Sequence, residues 1–81
     1  MSRTEIINQL TEVYTLISPN SDTTNLNENS NLRTDLGLAS IGMLYLIIAV
    51  EQKFNVKFED VSMTDFETIK DVIDYIEKKV N

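Results

Sequence analysis

The sequence predicts an all-α bundle, and three observations point there. Apolar residues recur at helical spacing near both ends of the chain. Between them lies one long, almost uncharged apolar stretch, too long for a strand. The one strand-like string, Val56-Lys57-Phe58, has no second strand to pair with. With 81 residues the chain makes a single domain, 1–81.

The elements follow in order. Ser2 and Glu5 have capping-box spacing, and Ile6, Leu10, Val13 and Ile17 then share one helical face until Pro19 ends it. Residues 18–31 are rich in Ser, Asn, Thr and Asp, whose side chains compete for backbone hydrogen bonds. They form a long loop that Leu26 and Leu32 pin to the core. Gly37 permits a turn, and Ser40 stands where a second helix begins. That helix runs to Phe54, with Ile41, Leu44, Ile48 and Val50 as core candidates. A loop follows, with a short helical turn around Glu59 to Met63. Ile69, Val72, Ile73, Ile76 and Val80 mark a last amphipathic helix. Thr68 or Thr64 is placed to cap it, and Lys78 and Lys79 suit the negative end of its dipole.

Composition narrows the function. There is no Cys and no His, so disulfides, thiolate nucleophiles and the commonest general base and metal ligand are absent. No nucleophile–base pair or metal cluster can be assembled, and an enzyme is the weakest class. A net charge of −6 repels phosphate backbones and disfavours nucleic-acid binding. The most apolar stretch, Leu36 to Val50, is too short to span a bilayer, and the N-terminal residues do not read as a secretory signal. A cytoplasmic monomer without membrane insertion is expected.

The informative block is Asp35-Leu36-Gly37-Leu38-Ala39-Ser40-Ile41. It resembles the attachment motif of acyl carrier proteins, D-[LF]-G-x-D-S-[LI]. Residues 51–60 (EQKFNVKFED) look like the family's E-x-x-F-x-[VI]-x-[IF]-x-D segment, and residues 66–76 (FETIKDVIDYI) resemble its closing helix. A serine before a helix is, alone, an ordinary cap. Three motifs in family order and spacing are far more specific. The resemblance implies a four-helix acyl-carrier-like bundle with three main helices, one short helix and a long first loop. It further implies that a phosphopantetheinyl transferase moves 4′-phosphopantetheine from coenzyme A onto Ser40. The thiol of that arm holds acyl groups as thioesters for fatty acid, polyketide or related lipid synthesis, and the chemistry belongs to acyl-transferring or synthase partners. A phosphodiester there would face the positive end of a helix dipole. An aminoacyl or peptidyl carrier, or an interaction module of the same fold that has lost its arm, is the alternative.

Further site expectations rest on the same likeness. Asp35 lies near the arm, and Leu44, Ile48 and Ile73, with Ile41 beside them, line an acyl pocket. Leu38, Ala39, Ile41, Met43 and Tyr45 form the partner-binding face. Two departures stand out. Ala39 holds the position where the family usually has Asp, and the second helix has only Glu51 and Lys53 where relatives are studded with acids. The negative charge lies instead between Glu59 and Glu77, seven acids against Lys70 alone. The expectation is a specialised carrier whose partner face relies on apolar contact rather than electrostatic steering.

Overall fold

Ser2 starts the first helix as its residue type and spacing predict. Its hydroxyl accepts the Glu5 N–H at 3.1 Å, and the Glu5 carboxylate accepts the Ser2 N–H at 3.3 Å. These reciprocal bonds satisfy N–H groups that a helix start leaves without partners. In this computed structural model, residues 1–19, 26–38, 40–59 and 65–80 are described, Ser40 by its backbone alone. They form three helices: α1 (Arg3–Ile17), α2 (Ser40–Phe54) and α3 (Ile69–Val80). The short turn expected around Glu59 to Met63 falls, beyond Glu59, outside the described residues. Among the described residues there is no strand, only one isolated β-bridge between Asn31 and Thr68.

α1 packs against both other helices. Ile6, Leu10 and Val13 are buried as their spacing predicts, with Tyr14 beside them and Ile17 at the edge. From α3, Val72, Ile73 and Ile76 enter the same core. Burying one such aliphatic side chain contributes about 1.5–3 kcal/mol, a large share of the small net stability of a domain.

α2 is turned differently from the expected orientation. Met43, Leu46, Val50 and Phe54 are buried, at spacings of three and four. Of the expected core positions only Val50 is inside; Ile41, Leu44 and Ile48 are exposed. The cause is that α2 is apolar nearly all round, so hydrophobic periodicity has no polar face against which to set its phase. Met43, expected on the surface, is buried for the same reason, and Leu38, in the loop before α2, is buried because it folds back against that helix. Leu38 packs back beneath α2, where a Cβ on Gly42 would stand 3.2 Å from its Cδ2.

The ends of α2 and α3 are closed by specific devices. Asn55 adopts a left-handed conformation with φ 56°, and the Val56 N–H returns to the Glu51 carbonyl at 3.2 Å. This six-to-one bond is the helix ending in which a left-handed residue satisfies an orphan carbonyl. Glu51 also accepts the Phe58 N–H at 2.9 Å, which folds the following loop onto α2. Phe58 then meets Phe66 and Tyr75 at ring separations of 5.7 and 4.7 Å, fastening that loop to α3. At the start of α3, Thr68 accepts the Asp71 N–H, and the Asp71 carboxylate accepts the N–H groups of Glu67 and Thr68 at 2.9 and 3.0 Å. Those backbone donors hold the Asp71 carboxyl below its ordinary value of 3.8.

The loop between α1 and α2 is tied down through its main chain. Leu32 donates to Glu67 O at 2.9 Å, Ile69 to Ser30 O at 3.1 Å and Lys70 to Glu28 O at 2.8 Å. Ile69 and Lys70 are the first residues of α3, so the loop carbonyls satisfy its orphan N–H groups. Leu32 is fully buried, as its expected anchoring role requires, and Leu26 packs at the edge of the core. Arg3 adds a charged clasp, reaching Glu28 at 2.6 Å, Asp74 at 2.9 Å and Glu77 at 3.4 Å.

Three consequences are measurable. Tyr14→Phe leaves the buried Leu36 carbonyl, which the Tyr14 hydroxyl meets at 2.9 Å, without its donor. Its expected cost is about 1–2 kcal/mol, read as a lower urea midpoint with unchanged slope. Asn55→Gly removes a Cβ from a left-handed position and should raise stability by about 0.5–1 kcal/mol in the same assay. Asp71→Ala should cost about 1 kcal/mol at pH 7. Because folding lowers the Asp71 carboxyl below 3.8, its contribution is complete above the ordinary carboxylate range and disappears as acid carries the pH through the lowered value. The gap between wild type and Asp71→Ala should therefore close on going from pH 7 to pH 2.

Candidate functional site

The start of α2 is prepared by the segment before it. Asn31 organises a tight turn: its side-chain oxygen accepts the N–H groups of Arg33 and Thr34 at 2.8 and 3.0 Å. Asp35 closes the turn by accepting the Asn31 N–H at 2.7 Å. Asp35 and Leu36 both donate their own N–H to the Asn31 carbonyl, and Leu38 donates to Leu32 O. Gly37 then takes φ 71°, a left-handed conformation that suits glycine, and the chain enters α2 at Ser40. The loop is thus held from Asn31 to Leu38 by its own bonds, and from behind by Tyr14 on the Leu36 carbonyl. Ala39 lies outside the described residues.

Ser40 is the first residue of α2. The first turns of α1 and α3 each contain an acidic side chain in a capping role, Glu5 and Asp71. The first turn of α2 contains none. No carboxylate there competes for the positive end of the dipole, which suits a phosphate ester on the first residue. These features fit the group that the sequence block implies. Asp35 is exposed, and its carboxylate is engaged in shaping the turn.

Between the helices and the first loop lies a cavity of about 390 Å³. α1 contributes Ile7, Leu10, Thr11 and Tyr14 to its wall; the loop contributes Leu26 to Glu28, Leu32 and Leu36. Leu46 closes it from α2, and Ile69, Val72 and Ile73 from α3. Three of its polar wall groups have partners: Thr11 donates to Ile7 O, Tyr14 to Leu36 O, and Glu28 pairs with Arg3. What remains facing the space is chiefly hydrocarbon, which favours an apolar guest. Of the expected pocket residues, Ile73 is in this wall, while Leu44 and Ile48 are on the outside of α2 with Ile41 and Tyr45. Tyr14 and Leu46 were not anticipated. Tyr14 sits four residues after Leu10 on the same helical face, so its position held the signal.

Both charges of α2 are used within the chain. Lys53 pairs with Glu12 of α1 at 3.2 Å, and Glu51 binds the Phe58 N–H. Among the described residues, no three carboxylates converge as metal ligands would, and no helix is long and apolar enough to cross a membrane.

The family model described as the phosphopantetheine attachment site matches residues 4–76, a span that includes the loop, Ser40 and all three helices up to Ile76. Several similar proteins are acyl carrier proteins. The acyl carrier protein of Phytoplasma australiense is 37% identical over 59 residues, covering 73% of this chain and 78% of the relative. That of Thermotoga maritima is 34% identical, covering 73% of each chain. That of Acidothermus cellulolyticus is 30% identical over 78 residues, covering 94% of this chain and 89% of the relative. The chain belongs to the acyl carrier protein family, whose chemistry rests on a covalently attached 4′-phosphopantetheine.

Proposed function

We propose that Ser40 is the attachment point and that the chain carries acyl intermediates of fatty acid synthesis as thioesters on the arm. The observation that carries this reading is the position of Ser40 as the first residue of α2, behind a hydrogen-bonded turn and within the matched span. When bound, the arm supplies a thiol that the polypeptide lacks altogether. The chain's own residues orient and shelter. The first-turn N–H groups of α2 would hold the ester phosphate, and Asp35 maintains the turn that leads to the serine. The hydrocarbon walls of the cavity offer a dry place for an acyl chain, with Ile73, Leu46 and Tyr14 around it.

In this reading the chain is not itself a catalyst. Its partners are a phosphopantetheinyl transferase and the acyl-transferring and synthase enzymes, met in the cytoplasm. The chiefly aliphatic lining of the cavity supports acyl cargo over aminoacyl cargo. Ala39, next to Ser40, makes modification selective for transferases that do not require an acid there.

Co-expression with a phosphopantetheinyl transferase tests the attachment. Intact mass should rise by one arm in the wild type and stay unchanged in Ser40→Ala. A wild-type chain left unmodified by several transferases would favour an interaction module without an arm.

A further inference from the structure

The walls of the cavity differ in exposure, and the difference locates its mouth. Tyr14, Leu36, Leu46 and Ile73 are buried and form its floor. Thr11 and Asn27 are exposed, and Ile7, Leu26 and Glu28 are half-buried, so these form its rim. The opening is the seam between α1 and the first loop. Arg3, Ile7 and Thr11 are spaced at four along α1, which lines them up on that seam. Arg3 crosses it, with its Nε 2.6 Å from the Glu28 carboxylate. The seam on the other side of α3 is shut by the rings of Phe58, Phe66 and Tyr75, none of which lines the cavity.

The loop side of the seam is built to move as a unit. The Ser30 N–H donates to Asn27 O, and the Asn27 N–H donates to the Ser30 hydroxyl, both at 3.0 Å. This closed turn is held down by the N–H groups of Ile69 and Lys70 and by Arg3. Leu32, fully buried and bonded to Glu67 O, is the fixed point behind it. Releasing Glu28 strands no charge, because Nη1 of Arg3 keeps Asp74 at 2.9 Å and Glu77 at 3.4 Å. A pair between partly exposed groups is weak, which suits a contact that must release often.

We infer that the turn at residues 27–30 is the lid of the cavity and the Arg3–Glu28 pair its latch, so that an apolar guest passes between α1 and the first loop. The inference takes from the functional reading only that the cavity receives a guest; attachment at Ser40 is not needed for it.

Stopped-flow mixing with N-phenyl-1-naphthylamine, a neutral dye that fluoresces on leaving water, reads passage into the cavity of the chain without an arm. Arg3→Gln and Glu28→Gln should each raise both entry and exit rates about threefold and leave Kd within about twofold, since a latch governs the path and not the space at its end. Thr11→Phe, a ring on the rim, should slow entry about threefold or more, while Ile48→Phe, the same ring on the outer face of α2, should leave it within about twofold. Leu46→Phe, which fills the floor, should weaken Kd about fivefold or more. In native-state hydrogen exchange of Arg3→Gln, the Ile69 and Lys70 N–H groups should exchange about threefold faster, with the Leu32 N–H within about twofold of wild type. Unchanged rates in both latch variants, a uniform rise in exchange, or free entry into Thr11→Phe overturns the inference. So does a dye that fails to bind, or that binds Leu46→Phe as well as wild type. The expected dye kinetics in a chain that never gains an arm would uphold the lid and overturn the Ser40 reading.

Discussion

The main-chain pairing between the first loop and the start of α3 is the constraint on which the rest of the molecule depends. Carbonyls of Glu28 and Ser30 accept the first two N–H groups of α3, and Leu32 returns a bond to Glu67. A helix start and a loop made of polar residues each carry backbone groups that need partners. Here each completes the other. The same loop forms one wall of the cavity and leads directly into the turn before Ser40. The interior space, the serine and the beginning of α3 are therefore positioned by one set of bonds.

α1 works as the scaffold. Its inner face supports both other helices, its Tyr14 hydroxyl holds the loop at Leu36, and Arg3 gathers carboxylates from the loop and from α3. The division of charge follows. α3 and its approach carry most of the acids, whereas α2 has one of each sign, both engaged internally. The exposed face of α2 is therefore chiefly hydrocarbon, with Ile41, Leu44, Tyr45 and Ile48 outward.

How far the sequence could be read depended on contrast. α1 and α3 were legible because each alternates apolar and polar faces and has a cap candidate at its start, Ser2 with Glu5 for α1 and, for α3, Thr68 or Thr64, of which Thr68 accepts the Asp71 N–H. α2 was legible as a helix but not in rotation, since Leu44 and Met43 are equally apolar and only packing decides that Met43 is inside. Ser40 was singled out by the motifs flanking it, not by its own residue type. The loop-to-α3 pairing was invisible because main-chain bonds leave no side-chain signature. The left-handed Asn55 could have been suspected from asparagine's tolerance of that conformation, but nothing nearby marked it. Of the residues expected around an acyl pocket, Ile73 lies in the wall of the cavity, and the α2 residue there is Leu46 rather than Leu44 or Ile48.

The three tyrosines give the molecule an internal set of reporters. The chain has no tryptophan, so its near-ultraviolet absorption and intrinsic fluorescence come from tyrosine and, faintly, phenylalanine. Tyr14 lies in the cavity wall, Tyr45 on the outer face of α2, and Tyr75 against Phe58 and Phe66. Occupancy of the interior, contact at the outer helix face and closure of the loop after α2 thus fall on different rings. Single replacements by phenylalanine would assign each optical signal to one of these events without an added label.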